Sequence, residues 1–327
     1  MADAVYVREG NESRLTVAAS VGVGELWQLS SGEAGFYTRT ATGLAQAASS
    51  GDQVDFRTTG KVTVTKTTGV ALLDGGRGYW DHSANSLTFE KVNDRDFYGG
   101  RIVGDWTTTD ATCVIDLNKD PRYDIDLLRD PYLSVLVGTP AASAFAYPVL
   151  LGGSLVFEMS ATNEAQKVDA LSVDGFAKGA NAIIEGVFRV NSDGAGTNTD
   201  VSMGIANGTH ASDFDSVAES VLIHLNGNST TIYAESDDGT VEVAATDTTI
   251  VYVEGSAVAN RVEFWMDMRN PADVQIYLNG VLALGSTVFN VDASTGPWFL
   301  VCHVEKASSA DVYKLTLDAL RARFSEQ

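Results

Sequence analysis

The sequence predicts an all-β protein, with a small antiparallel β-barrel or sandwich followed by a larger jelly-roll sandwich. Three observations lead to this fold class. Apolar and polar residues alternate with a period of two in almost every patterned segment. Clusters of Gly, Asn, Asp and Ser separate these segments, as turns between strands require. Only six prolines occur in 327 residues, so strands are rarely interrupted.

The first third of the chain holds short strand-like segments, in which β-branched and aromatic residues alternate with polar ones. These segments are Arg14–Ala18, Glu25–Leu29, Val54–Arg57, Lys61–Thr65, Ser86–Phe89 and Thr112–Leu117. We expect them to form one small antiparallel β domain, residues 1–118, preceded by an extended arm.

Residues 119–150 differ in composition and are expected to be a linker with the first edge elements of the next domain. Four of the six prolines fall here, together with the alanine-rich run ASAFAY. Asp124–Arg129 (DIDLLR) fits a short helical turn. A second domain is therefore expected over residues 151–327.

Strand-like segments become longer from residue 154 onward. They are Ser154–Ser160, Ala182–Val190, Val201–Ala206, Ser220–Leu225, Thr230–Glu235, Thr240–Ala244, Arg261–Met268, Asp273–Leu278, Gly296–Val304 and Tyr313–Phe324. Asn226-Gly227, Asp238-Gly239 and Asn279-Gly280 lie between them, and such dipeptides favour two-residue hairpin turns. So many strands closed by hairpins indicate a double-sheet jelly roll.

The charge of the chain excludes some partners. Its net charge is −21, with 10 Lys+Arg against 15 Asp+Glu in residues 1–118 and 12 against 28 in the remainder. Such a surface repels phosphate backbones, so we expect no nucleic-acid partner. No long apolar run or signal-like start occurs, so we expect neither membrane insertion nor secretion.

The cysteines and histidines give no sign of a metal site or cofactor. Cys113 and Cys302 lie in apolar alternating runs and are interpreted as small buried side chains, with a disulfide between them as the alternative. The four histidines are scattered without the spacing of a zinc site.

The stretch LLDGGRGYWDHSANSL, residues 72–87, raises the possibility of a phosphate-binding loop. Such a loop needs a lysine and a hydroxyl residue after its last glycine, but Gly78 is followed by Tyr79 and Trp80. The alternation after Gly78 instead predicts strand, turn and strand, with glycines serving the backbone where the chain turns.

The same stretch carries a resemblance to a known family. The segments GELWQL, ASSGDQV, FRTTGKV, GYWD, FYGGRIVGD and CVIDLN, in that order, resemble the capsid decoration (head cement) proteins of tailed bacteriophages, which are often mislabelled as phage recombinases. The likeness covers roughly residues 5–118, about a third of the chain, and consists mostly of turn residues and alternation. Gly78 departs from it, because alanine or valine is usual there.

The resemblance implies a module that binds the outer surface of the mature capsid and stabilises it. The expected partners are the major capsid protein and further copies of this chain in a homotrimer, assembled in the host cytoplasm and located on the virion. Residues 1–10 would be an arm that adds a strand to a neighbouring sheet, contacting it through Val5, Tyr6, Val7 and Arg8. A frayed terminus is the alternative.

The second half resembles concanavalin-A-like and laminin-G-like domains in RVEFWMDMRNPADVQIYLNGVLAL and in YKLTLDALRARF. Many such domains bind sugars through a concave sheet. Asp213 and Asp215 are candidate calcium ligands, and Tyr233 and Trp298 are candidate stacking partners for a sugar. Solvated aspartates and a core tryptophan are the alternatives.

Some hydrolases of this fold place alternate carboxylates on one face of a strand. Here Glu263 and Asp267 share a face, but Trp265 stands between them where a further acid is usual. We therefore expect no enzyme. The main hypothesis is a virion decoration protein with an outward lectin-like domain, and the alternative is a carbohydrate-binding adhesin on the virion surface.

Overall fold

The computed structural model describes residues 12–40, 46–129, 131–141, 153–209 and 214–324. The chain divides into unit 1, Met1–Arg122, and unit 2, Tyr123–Gln327. Regular structure is almost entirely β, so the predicted fold class is confirmed. Within the described residues, the helical elements are two 3-10 turns, Phe214–Ser216 and Val258–Asn260. No helix in this part of the chain has the length and hydropathy to cross a membrane.

Unit 1 has two antiparallel sheets in its described part. Its strands are β1 Glu12–Thr16, β2 Leu26–Gln28, β3 Ala34–Thr40, β4 Gln53–Arg57, β5 Lys61–Thr65, β6 Arg77–Asp81, β7 Ser86–Thr88, β8 Phe97–Val103 and β9 Thr112–Leu117. A four-stranded sheet has the order β1-β4-β3-β2, and a five-stranded sheet has the order β5-β9-β8-β6-β7.

Each of these sheets buries one face, as period-two sequences require. In β5, Val62 and Val64 are buried whereas the lysine and threonines between them are exposed. The four-stranded sheet packs Tyr37, Val54 and Phe56 into a small cluster. Alternation therefore decides both where the strands form and which side faces the core.

The glycine-rich stretch of residues 72–87 forms a turn and a hairpin. Gly75 adopts a φ of 76°, which favours glycine. Gly78 lies within β6, where a Cβ would come 2.9 Å from the side chain of Leu87. Strands β6 and β7 then pair antiparallel. The glycines serve the turn and the packing, as the sequence predicts.

Unit 2 contains two seven-stranded antiparallel sheets among its described residues. Its strands are β10 Ile125–Asp126, β11 Pro131–Val137, β12 Leu155–Glu158, β13 Glu164–Ser172, β14 Ala182–Ser192, β15 Thr199–Ala206, β16 Glu219–Asn226, β17 Thr231–Asp238, β18 Glu242–Val251, β19 Val262–Asp267, β20 Gln275–Leu278, β21 Val281–Leu282, β22 Phe299–Ser309 and β23 Lys314–Phe324. Sheet I has the order β10-β23-β14-β19-β20-β21, with β12 also paired to β23. Sheet II has the order β11-β13-β22-β15-β16-β17-β18.

Sheets I and II bury a common core, which makes unit 2 a β-sandwich. Phe188 and Phe264 from sheet I share one apolar cluster with Met203, Ile223 and Cys302 from sheet II. Each strand therefore turns alternate residues toward the other sheet and the remainder outward. The outward face of sheet II is the one that carries the polar groups described below.

The hairpin predicted at Asn279-Gly280 is confirmed. Strands β20 and β21 pair there, and the two turn residues have φ values of 48° and 76°. At the Asn226-Gly227 turn the residue with positive φ is instead Asn228, at 55°. The loop between β16 and β17 is thus longer than a two-residue hairpin.

The segment between the two predicted domains differs from expectation. The turn predicted at Asp124–Arg129 is only partly present. Ile125–Asp126 pairs with β23 as an edge strand, and the Arg129 N–H donates to Asp126 O at 3.1 Å to close a turn after it. Strand β11 pairs with β13, so most of the described part of the expected linker belongs to unit 2. The boundary lies between Arg122 and Tyr123 rather than at residue 118.

Both cysteines are buried free thiols. Burial raises the pKa of Cys113 to about 12, and it raises the pKa of Cys302 above the ordinary thiol range as well. The interpretation as small buried side chains therefore holds, and the alternative of a disulfide between them is wrong.

Candidate functional site

The outward face of sheet II carries a row of polar side chains in direct register. Across the strands, Asp169 lies opposite His303, His303 opposite Ser202, Ser202 opposite His224, and His224 opposite Tyr233. We call these five residues the polar row. Their neighbours along each strand point into the sandwich core, so alternation places all five on one face.

His303 lies at the centre of a buried charge cluster. Its Nδ1 contacts Asp169 Oδ1, and its Nε2 lies 3.0 Å from Glu305 Oε2. Lys167 Nζ is 2.6 Å from the same Glu305 oxygen. Burial alone would lower the pKa of His303, but the two carboxylates outweigh it and raise that pKa. The contacts with Asp169 and Glu305 therefore favour the protonated form of His303 over the neutral one.

His224 repeats this arrangement two strands away. Its Nε2 lies 3.2 Å from Asp200 Oδ1, and its Nδ1 lies 3.7 Å from Glu235 Oε1. Burial opposes its charged form, yet the facing carboxylates raise the pKa of His224 to about 9. Each of these two histidines thus sits between two acids, and a pKa of about 9 keeps His224 charged at neutral pH.

These contacts bear on catalysis. Ser202 lies opposite both histidines, as a nucleophile beside a base would. However, both nitrogens of His303 already contact carboxylates, and Ser202 is only 1% exposed. His303 therefore has no ring nitrogen left to accept a proton from Ser202. The contacts of this histidine instead link neighbouring strands of sheet II.

An open cleft of about 410 Å³ lies beside the polar row. Its lining is mostly polar and comes from β13, β15, β16 and β22 and from the turn that precedes β15. The lining includes Lys167, Thr197, Asn198, Asp200, Asn226 and Glu305. Amides, carboxylates, an ammonium group and hydroxyls are the groups that hydrogen-bond sugar hydroxyls. The described residues hold no group of side chains suited to a metal ion.

The predicted site residues fall in different places. Tyr233 is half-buried in the polar row, edge-on to His224 at a ring distance of 6.3 Å. Trp298 is fully buried in the sandwich core, so the prediction that it stacks on a sugar is wrong. Val5, Tyr6, Val7, Arg8 and Asp213 lie outside the described residues, and so does the side chain of Asp215.

The segment that holds the predicted calcium ligands contributes an aromatic residue instead. Phe214 lies in a 3-10 turn and stacks on His303, with ring centroids 4.7 Å apart. It also joins Val217, Leu222 and Val301 in a small apolar cluster on this face of sheet II. Sequence reasoning could not find the contact between Phe214 and His303, because the two residues lie far apart along the chain.

The two acids considered for hydrolysis are engaged within the protein. Glu263 accepts a hydrogen bond of 2.7 Å from Trp265 Nε1, and the Asp267 carboxylate pairs with Arg269. They stand four residues apart on β19, about 13 Å measured along the strand backbone.

Comparisons with known proteins gave structural likeness alone. No family model and no curated protein matches the sequence. The carbohydrate recognition domain of Emp47p is 10% identical, with a TM-score of 0.41 over 62% of this chain and 94% of that one. A LamA variant from Z. galactanivorans in complex with laminaritriose and laminaritetraose is 11% identical, with a TM-score of 0.41 over 62% and 99%. Alginate lyase AlyC3 is 10% identical, with a TM-score of 0.41 over 61% and 92%. Likeness at this level carries no inference about ligand or activity.

Proposed function

We propose that this chain is a bacteriophage head decoration protein without enzymatic activity. Unit 1 binds the outer surface of the mature capsid, and unit 2 faces outward from the virion. One observation carries the proposal: all the segments that resemble the decoration family fall in unit 1, as strands and connecting turns of its two small sheets. These segments therefore belong to one folded module.

The charge distribution fits this orientation. Residues 1–118 carry 10 basic and 15 acidic residues, whereas residues 119–327 carry 12 and 28. The less acidic module is the better one to approach another protein surface, and the acidic one keeps decorated particles apart in solution. Trimerisation would link three docking events, so that weak single contacts give firm attachment.

The test is a pelleting assay with capsids that lack the protein. Purified protein is mixed with mature capsids and, separately, with unexpanded proheads, and the bound copies per particle are counted. We expect saturable binding to mature capsids, in multiples of three. Binding to neither particle would exclude the capsid role.

The cleft on sheet II favours carbohydrate binding as a second function. It is open and lined mostly by polar residues. A glycan array is the first measurement, followed by the same array with Asn198→Ala. Asn198 is exposed on the cleft wall, so its loss should weaken any sugar retained there. Asn93→Ala, at an exposed position of unit 1, is the matched control. Equal signals from both variants would place the sugar elsewhere.

A further inference from the structure

The chain contains three Asn-Gly dipeptides, all in unit 2, and the structure holds them differently. They are Asn207-Gly208 after β15, Asn226-Gly227 at the end of β16 and Asn279-Gly280 between β20 and β21. An asparagine side chain loses ammonia when the backbone nitrogen of the next residue attacks its amide carbon. Glycine hinders this attack least, because it has no Cβ and rotates freely. The local structure therefore decides which of the three asparagines can react.

The Asn226-Gly227 dipeptide is blocked. The Gly227 N–H donates to Thr199 O at 2.7 Å, so the attacking nitrogen is already engaged. A Cβ on Gly227 would lie 2.6 Å from the carbonyl oxygen of Gly196, which leaves this backbone no room to rotate. The Asn226 Oδ1 atom also lies 3.2 Å from His224 Nε2.

The Asn279-Gly280 dipeptide is fixed by its hairpin. Asn279 Oδ1 accepts a hydrogen bond of 3.0 Å from the Glu263 N–H, and the Asn279 N–H donates to Glu263 O at 2.8 Å. Both turn residues have positive φ, and the flanking strands β20 and β21 are paired. The amide carbon of Asn279 is therefore held beside β19.

The Asn207-Gly208 dipeptide lies just beyond β15, and its glycine is unconstrained. Within the part of the chain that the structure describes, the Gly208 N–H donates to no acceptor, and a Cβ on Gly208 would have no heavy atom within 4 Å. Asn207 itself is held by Glu219, through its backbone N–H at 3.0 Å and through a hydrogen bond from its side-chain amide to the carboxylate. Gly208 can therefore turn its nitrogen toward the Asn207 side chain, which Gly227 cannot do.

We propose that Asn207 is a site of spontaneous deamidation. The Gly208 nitrogen attacks Asn207 Cγ and forms a C–N bond, while the bond from Cγ to the side-chain nitrogen breaks. Ammonia leaves with the proton that the Gly208 nitrogen gives up, and a cyclic imide remains. Water then opens the imide at either carbonyl, which gives aspartate or isoaspartate at position 207. Water is the only co-reactant.

The product places one carboxylate against another. Glu219 Oε1 accepts hydrogen bonds from Thr295 N at 2.8 Å and Thr295 Oγ1 at 3.0 Å, and Glu219 Oε2 accepts one from Gly296 N at 3.0 Å. These bonds fix the turn that precedes β22. Deamidation removes the amide donor of Asn207 and adds a negative charge beside Glu219, which weakens this connection. Unit 2 would thus change with the age of the protein.

The test incubates the full-length protein at mildly alkaline pH and follows the three asparagines by peptide mass mapping. A protease that cleaves after glutamate separates them, since Glu219 and Glu263 lie between them in the sequence. In the folded protein we expect Asn207 to convert faster than Asn226 and Asn279 by roughly tenfold or more, because local structure restrains the other two. In urea-unfolded protein the three should convert at similar rates, since glycine follows each of them.

Two results would overturn the site. One is Asn226 or Asn279 converting as fast as Asn207 in the folded protein. The other is an unchanged Asn207 in the folded protein under conditions in which it converts in urea. Gly208→Ala is the matched variant, because its methyl group hinders the attacking nitrogen without a contact in the fold, and conversion at position 207 should slow.

The consequence for Glu219 is tested with the product residue itself. Asn207→Asp should melt at a lower temperature than the wild type. The loss should be smaller when the same change is made in a Glu219→Gln background, because the facing carboxylate is then absent. An equal loss in both backgrounds would overturn the role assigned to Glu219.

Discussion

His224 links the stability of unit 2 to pH. Its pKa in the folded protein is about 9, against 6.5 for an unperturbed histidine. A raised pKa stabilises the fold fully below pH 6.5, and this contribution is lost as the pH rises through 9. A pKa shift of this size contributes up to about 3 kcal/mol to the free energy of unfolding.

The prediction is tested by urea denaturation of the wild type and His224→Gln at pH 6.5 and at pH 9.5. We expect the wild type to be the more stable protein at pH 6.5 by about 1–3 kcal/mol, and the difference to shrink at pH 9.5. A difference that is the same at both pH values would contradict the charged state assigned to His224.

Gly186 is a position where the core allows no side chain. It lies on β14 opposite Phe264, and a Cβ there would fall 2.2 Å from two ring atoms of that phenylalanine. The ring is fully buried and packs against Phe188, so it cannot move aside without disturbing the core. We expect Gly186→Ala to lower the free energy of unfolding by about 1–3 kcal/mol.

Gly208→Ala is the matched control for this change. A Cβ at Gly208 has no heavy atom within 4 Å, so the free energy of unfolding should change by less than about 0.5 kcal/mol. The same urea titration measures both variants. Equal effects would mean that the Phe264 contact does not constrain β14.

At this scale the sequence predicts single residues poorly. The polar row combines Asp169, His303 and Ser202, which lie far apart in sequence and meet only through strand register. The pairing of Arg77 with Arg101 and of Tyr79 with Tyr98 depends on a one-residue bulge between β6 and β8, which period-two alternation does not reveal. Trp298 was assigned both to the core and to a sugar site from its sequence context, and burial decides for the core.

Among the elements, the two loops that flank Lys306 are held by one side chain. Lys306 is 1% exposed, and the three N–H donors of its ammonium group are shared among the carbonyl oxygens of Ser160, Thr162, Ser309 and Asp311. The first two belong to the connection between β12 and β13, and the last two to the end of β22 and the connection to β23. One cation therefore joins both connections at this end of the sandwich.

We expect Lys306→Met to lower the free energy of unfolding by more than about 2 kcal/mol, because it leaves buried carbonyl oxygens without a donor. Amide hydrogen exchange should accelerate in residues 159–163 and 309–312 before the rest of unit 2. Lys314→Met is the control, since the Lys314 side chain is 39% exposed in its pair with Glu158. This substitution should lower the free energy of unfolding by less than about 1 kcal/mol. Unchanged exchange in both loops would contradict the role of Lys306.

Elements with regular alternation are the ones the sequence predicts. Strands β5, β9, β19 and β23 lie within a residue or two of the predicted segments. Strand β13 (EAQKVDALS) was missed, because it buries Gln166, Lys167 and Asp169 and so lacks the polar and apolar pattern. Lys167 and Asp169 pair with Glu305 and His303 on β22. Gln166 forms hydrogen bonds with Ser160 and Thr139 in nearby connections. Strand β11 begins at Pro131 and lies at a sheet edge, which the proline tolerates.

For the whole molecule, the position of the unit boundary has a measurable consequence. A fragment of residues 123–327 keeps all strands of sheets I and II, so we expect it to fold and unfold in one cooperative transition. A fragment of residues 151–327 loses β10 and β11, which exposes an edge of β13 and of β23. It should melt at a lower temperature and aggregate more readily. Circular dichroism melts of both fragments test this, and equal melting temperatures would support a boundary near residue 150.

Lys306 has one more consequence for the whole molecule. Backbone carbonyl oxygens from separate loops commonly coordinate a metal ion such as Ca²⁺ that binds from solution. Here the positive charge is an ammonium group that is covalently part of the chain, so its occupancy follows from folding alone. Dilution cannot empty this position and a chelator cannot extract its ion. The conformation of these two connections in unit 2 therefore does not depend on the concentration of divalent cations.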